Sequence, residues 1–379
     1  MEIRRDALLK RLIDLRHNGM IKVITGMRRS GKSYLLFKLF SEALKTEGVN
    51  DEHIVMVNLE DRRNKVLRDP DRLLEYIDSR LKDSQMHYIL LDEVQLVSDF
   101  EDVLNSYLQV KNADLYVTGS NARFLSKDII TEFRGRGLEI KVHPLSFLEI
   151  RNAKPNEPIE NLWIEYMTYG GLPQVVTMAS MQEKVDYLQS LFKHTYLKDI
   201  KERYDIKLDG DLEELISKLA STVGGLTNPR KLADTFRTVK KSTISQDTIK
   251  VYLDYLQDAF IIERALRYDI KGKRYIDTPS KFYFEDLGLR NALLNFRQVE
   301  RTHLMENAIY NELRARGMSV DVGEVIWNTK DEEGKKIRKT LEVDFVCNQG
   351  YKRTYIQSAF SIPDDTKRDQ ELQSLRRID

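Results

Sequence analysis

Apolar and polar positions along this chain switch between a period near two and a period near 3.6, and the switch points outline its elements. Residues 21–26, IKVITG, are a short β-branched run ending on Gly26, which predicts a buried strand. Residues 33–44, SYLLFKLFSEAL, carry their apolar side chains at helical spacing. Two further runs, YILLDE at 88–93 and LYVTGSN at 115–121, predict strands that end in acidic or polar residues. Farther on, Leu212, Leu215, Ile216, Leu219, Ala220 and Val223 share one helical face. A second helix is predicted to start at Asn228 and Pro229, a good cap followed by a good first residue. A third follows Ser245 and buries Ile249, Tyr252, Leu253 and Leu256. FIIERALRYDI, a KGKR turn and KFYFED then read as a β-hairpin, so three helices and a hairpin stand in the order of a winged helix. From residue 302 the predicted order is helix, hairpin, strand, strand.

The junction of the first strand and its helix holds the clearest chemistry. GMRRSGKS at 26–33 has glycine, four residues, glycine, lysine and serine where a strand turns into a helix, the context a phosphate-binding loop requires. Gly26 and Gly31 let the backbone bend so that successive amides converge on phosphate oxygens at the positive end of the helix. The whole stretch Gly26, Met27, Arg28, Arg29, Ser30, Gly31, Lys32, Ser33 and Tyr34 is expected to line a nucleotide, ATP. Lys32 neutralises the β and γ phosphates, and Ser33 offers its hydroxyl to Mg²⁺. In YILLDE, neighbouring side chains of a strand face opposite ways, so Asp92 is expected at the magnesium shell and Glu93 at the attacking water as catalytic base. Asn121, at the end of LYVTGSN, is placed to orient that water. Arg134 and Arg136, flanked by glycines in FRGRGLEI, form a basic tip suited to an arginine finger for a neighbouring subunit, Arg136 being the chosen residue, and a plain solvated loop is the alternative.

Taken together, GMRRSGKS, LLDEVQ, TGSNA, RGRGLEI and HPLSFLEI resemble prokaryotic P-loop ATPases of the AAA+ and signal-transduction (STAND) type that carry a DUF4143-like C-terminal region. The resemblance implies an α/β fold: a P-loop NTPase core with a parallel sheet at 1–145, whose strands before Gly26, Asp92 and Thr118 lie near its centre, and a helical lid at 146–204. It further implies a winged helix at 205–298 and a small α+β domain related to restriction endonucleases at 299–379. YGGLP at 169–173 looks like the lid's glycine-proline element, with Gly171 and Pro173 over the nucleotide; a loop that breaks two helices is the alternative. Relatives continue beyond the helix in which LQSLRRID falls, so the chain is also read as truncated there.

In active nuclease relatives a third segment supplies an acid, one residue and a lysine, and here those places hold Gln357 and Ala359. Glu306 and Asp344 alone make a poor metal site, so this domain is read as catalytically dead and kept for binding or packing.

Composition and charge narrow the partners. At 379 residues the chain can hold two to four domains. Its 61 Lys and Arg against 60 Asp and Glu leave a net charge of +1, with no global pull toward nucleic acid or membrane. Any DNA contact must be local. Between residues 228 and 251 six basic residues stand against two acids. Lys240, Lys241, Thr243, Ser245, Gln246 and Lys250, with Lys271, Lys273 and Arg274 on the hairpin tip, are the candidate DNA contacts, largely non-specific. The outer face of the third helix carries Asp247, Asp254 and Asp258, which opposes groove entry and leaves a protein-binding module as the rival. The lone Cys347 rules out an internal disulfide framework, and the charged N-terminus lacks the apolar core of a signal peptide. The expectation is a cytoplasmic ATP switch coupled to DNA through the winged helix; the alternative is a signalling or defence scaffold ATPase that binds a protein partner and has no DNA role, with no membrane partner and with homo-oligomers left open.

Overall fold

The computed structural model describes residues 3–119, 133, 135–206, 209–298, 300–330 and 336–378. The chain divides into two compact units. The first is Met1–Leu145 with Asn152–Pro155 and Asp258–Phe260. The second is Ser146–Arg151, Asn156–Gln257 and Ile261–Asp379.

The first unit is built on five parallel strands, β1 (Ile21–Thr25), β2 (Ile54–Asn58), β3 (His87–Asp92), β4 (Ala113–Thr118) and β5 (Gly137–Lys141), in the order β2-β3-β4-β1-β5. β1, β3 and β4 are therefore the inner strands, as expected. β1 and β3 are buried along their whole length, the condition in which a strand reads as a continuous apolar run. Lys22 breaks that run and is fully buried; it pairs with Asp114, which also accepts from the Tyr116 hydroxyl at 3.0 Å and the His17 amide at 3.1 Å. Burial lowers the Lys22 pKa, and the Asp114 carboxylate opposes that shift. After β1 a helix starts at Lys32–Tyr34, continues through a π-turned stretch Leu35–Phe40 and ends as Ser41–Thr46. Leu35, Leu36, Phe40 and Leu44 from this helix meet Tyr88, Leu90 and Tyr116 of the sheet in one core.

The second unit contains the helices Ile159–Tyr169, Pro173–Thr177 and Met181–Leu191. The three helices expected next are present as Asp209–Ser221, Pro229–Lys240 and Gln246–Asp258, and Asn228 caps the second through bonds to the amides of Arg230 and Lys231. The hairpin is formed by β7 (Ile262–Asp269) and β8 (Arg274–Phe284), with the short β6 (Leu226–Thr227) on the far side of β8. A free wing would stop there. Instead β7 pairs in parallel with β9 (Ser319–Lys330), in the register Arg267↔Val322 to Asp269↔Glu324. β10 (Lys336–Gln349) and β11 (Lys352–Ile356) complete a six-stranded sheet, β11-β10-β9-β7-β8-β6. The expected winged helix and the expected C-terminal domain thus share one sheet. The reason is visible in β9 and β10, whose Val325, Val343 and Val346 are buried together with Ile270 from the hairpin.

Candidate functional site

The phosphate loop follows β1. Gly26 has φ 134°, and a Cβ there would lie 2.1 Å from the carbonyl oxygen of Val142, so no other residue fits that approach. Gly31, at φ 97°, sets the first turn of the helix. Lys32 is buried and donates to the carbonyls of Gly26 at 3.0 Å and Met27 at 3.1 Å, so its ammonium sits inside the loop it serves. Burial lowers the pKa of Lys32, and Glu93 and then Asp92 oppose that shift. Arg28 pairs with Glu60 at 3.1 Å, Arg29 takes the left-handed conformation at φ 68°, and Tyr34 is exposed.

Asp92 closes the site from β3. One of its oxygens accepts from the Ser33 hydroxyl at 3.0 Å and from the Thr118 hydroxyl at 2.5 Å. Burial raises the Asp92 pKa, while these two hydroxyls pull it back. Two of the sequence expectations, Ser33 and Asp92, therefore meet directly. A hydroxyl and a carboxylate side by side are the hard oxygen donors that Mg²⁺ takes, so the donor set fits this ion.

Glu93 needs a correction. The expectation rested on strand alternation, but β3 ends at Asp92 and Glu93 has φ 55°. Its direction is set by a left-handed turn, held by the Glu93 amide donating to the Thr118 hydroxyl at 2.9 Å and by Gln95 donating to its carboxylate. Thr118, whose role was not read from the sequence, thus ties the end of β4 to both acids.

Arg5 was missed as well. It counted only as an N-terminal charge, yet it is buried and donates to the carbonyls of Ser30 at 3.1 Å and His143 at 2.9 Å, clamping the loop from behind. Arg136 is exposed, and its carbonyl accepts from Ile21 at 2.8 Å, at the amino end of β1. The loop lies at the carboxyl end, roughly 15 Å away along the strand, so Arg136 cannot reach its own phosphate loop. Asn121 and Arg134 lie outside the described residues.

The second unit contains the YGGLP element. Gly170, at φ 74°, passes so close to Asp286 that a Cβ would lie 2.4 Å from its carboxylate, and the Gly171 amide donates to that carboxylate at 2.8 Å. Pro173 starts the helix Pro173–Thr177. Asp286 also caps the helix Leu287–Leu293 by accepting from the Leu289 amide at 2.9 Å, and Asn291 donates to the carbonyls of Met167 and Thr168, both at 2.9 Å. In the sequence, EDLGLRN at 285–291 was the available signal. Burial raises the Asp286 carboxyl to about 6 against the pull of its backbone amides. Asp286→Ala is expected to cost about 3 kcal/mol of stability in urea unfolding, because two buried amides lose their acceptor. With the folded pKa above the ordinary 3.8, the wild-type carboxyl contributes most below about pH 4 and loses that contribution as pH rises through about 6. The variant lacks this slope.

Of the candidate DNA contacts, Lys240 pairs with Glu214 and Lys250 with Asp247, both at 3.3 Å, and Arg274 lies 3.5 Å from the buried Asp269. The Ser245 hydroxyl accepts from the Thr248 amide at 3.0 Å as a cap. Lys241, Thr243, Lys271 and Lys273 are exposed, and Gln246 is half-buried. In the C-terminal strands, LEVDFV belongs to the single long strand β10. Asp344 accepts from Gln357 at 3.1 Å and from the Ser358 hydroxyl at 2.6 Å. Glu306 instead accepts from Lys281 at 2.9 Å and the Tyr283 hydroxyl at 2.6 Å. These two acids, read from the sequence as a poor metal site, are engaged by different partners.

Comparison with known proteins agrees with the geometry of the first unit. Residues 18–151 match the family model of an AAA domain. That stretch is an AAA-type P-loop ATPase domain. The chain as a whole belongs to one family with an uncharacterized protein of Haemophilus influenzae, 36% identical over 369 residues, covering 96% of this chain and 88% of that protein. An uncharacterized protein of Methanocaldococcus jannaschii is 27% identical over 370 residues, covering 94% of this chain and 78% of that protein. A Walker-type ATPase of Pyrococcus abyssi is similar in fold to this chain, with a TM-score of 0.55 at 14% identity, covering 77% of this chain and 96% of that one. Residues 160–300 match a domain of unknown function, DUF8612, and this stretch spans the YGGLP element, its partner Asp286 and the hairpin. Among the described residues, no helix is long and apolar enough to cross a membrane.

Proposed function

We propose that this chain is a cytoplasmic Mg²⁺-dependent ATPase that works as a switch, with Glu93 as its catalytic base. The carrying observation is the convergence of Lys32, Ser33 and Asp92, with Glu93 fixed beside them through Thr118. Lys32 holds the β and γ phosphates, and the loop amides between Gly26 and Ser33 hold their oxygens. Ser33 and Asp92 hold the magnesium ion, which supplies charge neutralisation at the transferring phosphoryl group. Glu93, turned away from Asp92 by its left-handed backbone, takes a proton from the attacking water. Arg136 serves only a neighbouring subunit in this reading, which makes assembly part of turnover.

The second unit, in our reading, is the responder, with Gly171 and Pro173 reporting the nucleotide. Its three helices and hairpin support contact with DNA phosphates through Lys241, Thr243, Lys271 and Lys273. A second reading is a protein partner, and the specific support for it is the pairing of Lys240, Lys250 and Arg274 with carboxylates, which removes charge a phosphate backbone would need. We also read the C-terminal strands as a nuclease-like fold of the DUF4143-like kind without nuclease activity, since Asp344 and Glu306 are tied to Gln357 and Lys281. ATP turnover and DNA affinity measured across a salt series, with ATP, a non-hydrolysable analogue and ADP, separate the two. DNA coupling predicts nucleotide-dependent affinity that falls with salt. Identical affinities in all three nucleotide states would leave the protein partner.

A further inference from the structure

The amino ends of β2 and β3 carry a second constellation. His53 immediately precedes β2 and His87 opens β3, and the register Ile54↔Tyr88 sets the two histidines opposite each other. Their rings are 4.8 Å apart and nearly perpendicular, and both are buried. Asp83, in the loop before β3, places a carboxylate oxygen 2.9 Å from Nε2 of His53. That loop is fixed: the other Asp83 oxygen accepts from the Gln85 amide at 2.8 Å, and Asn112 donates to the Asp83 carbonyl at 2.8 Å while accepting from the His87 amide at 2.8 Å. One ligating atom from each of His53, Asp83 and His87 lies within 4.8 Å of the others, the one such group of three among the described residues.

The tautomer of His87 follows from its partner. Its Nδ1 is 2.8 Å from the Gln85 carbonyl, which can only accept, so Nδ1 carries a proton and Nε2 is the nitrogen available to a metal. That Nε2 is buried and has no hydrogen-bond partner. An unsatisfied buried nitrogen is costly, and a backbone carbonyl on the opposite ring nitrogen is the arrangement that fixes the tautomer of a metal-bound histidine.

From this geometry we propose that His53, Asp83 and His87 form a three-ligand site for a first-row divalent cation of the zinc class. Two imidazoles and a carboxylate suit zinc and disfavour magnesium, which prefers oxygen. A fourth, water ligand completes the tetrahedron. On binding, the proton between His53 and Asp83 is released to solvent and the cation takes its place, and those two atoms open from 2.9 Å to about 3.4 Å, the spacing of neighbouring ligands at zinc distances. The site is separate from the nucleotide site, since β3 runs five residue steps from His87 to Asp92, about 17 Å. Its effect is to pin the Asp83 loop to two strands of the sheet.

The test is titration of the chelator-treated full chain with Zn²⁺ in the absence of nucleotide, followed by calorimetry, with Co²⁺ substitution read by visible absorption. One equivalent of zinc is expected to bind, and cobalt is expected to give the intense bands of a four-coordinate site. His87→Ala and Asp83→Asn should each weaken binding by at least the roughly 10- to 100-fold seen on losing an outer-shell partner. Asp83 is exposed, so Asp83→Asn decides the matter if His87→Ala does not fold. Absence of stoichiometric zinc, which would leave a buried water as the partner of Nε2, overturns the proposal. Equal zinc affinity in wild type and Asp83→Asn overturns it too, because the metal would then sit elsewhere.

Discussion

Lys32→Ala is expected to lower ATP affinity by at least about 100-fold in magnesium buffer, roughly 3 kcal/mol, the scale of a lost charge-assisted contact in a buried site. The ammonium is held between two loop carbonyls and stands near both Asp92 and Glu93. Removing it takes away the phosphate contact and also leaves two acids facing an anionic ligand without a counter-charge. Lys32→Arg is expected to rescue little, because a planar guanidinium does not fit where a compact ammonium bonds Gly26 and Met27. Calorimetric titration with a non-hydrolysable ATP analogue checks both variants. Wild-type affinity in Lys32→Ala would show that the loop does not bind the triphosphate.

Glu93→Gln is expected to keep ATP affinity within about 2-fold and to slow turnover by about 100- to 10,000-fold, the range supplied by a positioned general base. The substitution keeps the size of the side chain, and the backbone bond from Glu93 to Thr118 does not involve the carboxylate. Phosphate release under saturating ATP is the measurement. Turnover near the wild-type rate would move the base to another residue and leave Glu93 with a positioning task.

The phosphate loop was legible because its parts are contiguous: one strand, one glycine turn, and one lysine and serine at the start of a helix. The second acidic strand was legible for the same reason, as YILLDE. What the sequence did not disclose were the contacts made across the fold. Thr118 meets Asp92 only because β3 and β4 are neighbours, and Arg5 reaches Ser30 only because the N-terminal segment folds back on the loop. The turn of Glu93 was misjudged because alternation was extended one residue past the end of a strand. In the second unit, the helices and hairpin were readable from their periods and caps. The partner of β7 was not, since a parallel pairing across some fifty residues leaves no local trace.

That pairing limits how the second unit can respond. A hairpin standing alone could swing on its turn, but β7 is bonded to β8 on one side and β9 on the other, so tilting it drags the whole ladder from β6 to β11. Force applied to the helices 209–258 would be passed on to a stiff plate, and a partner gripping β11 would feel it as readily as one gripping the Lys271–Arg274 tip.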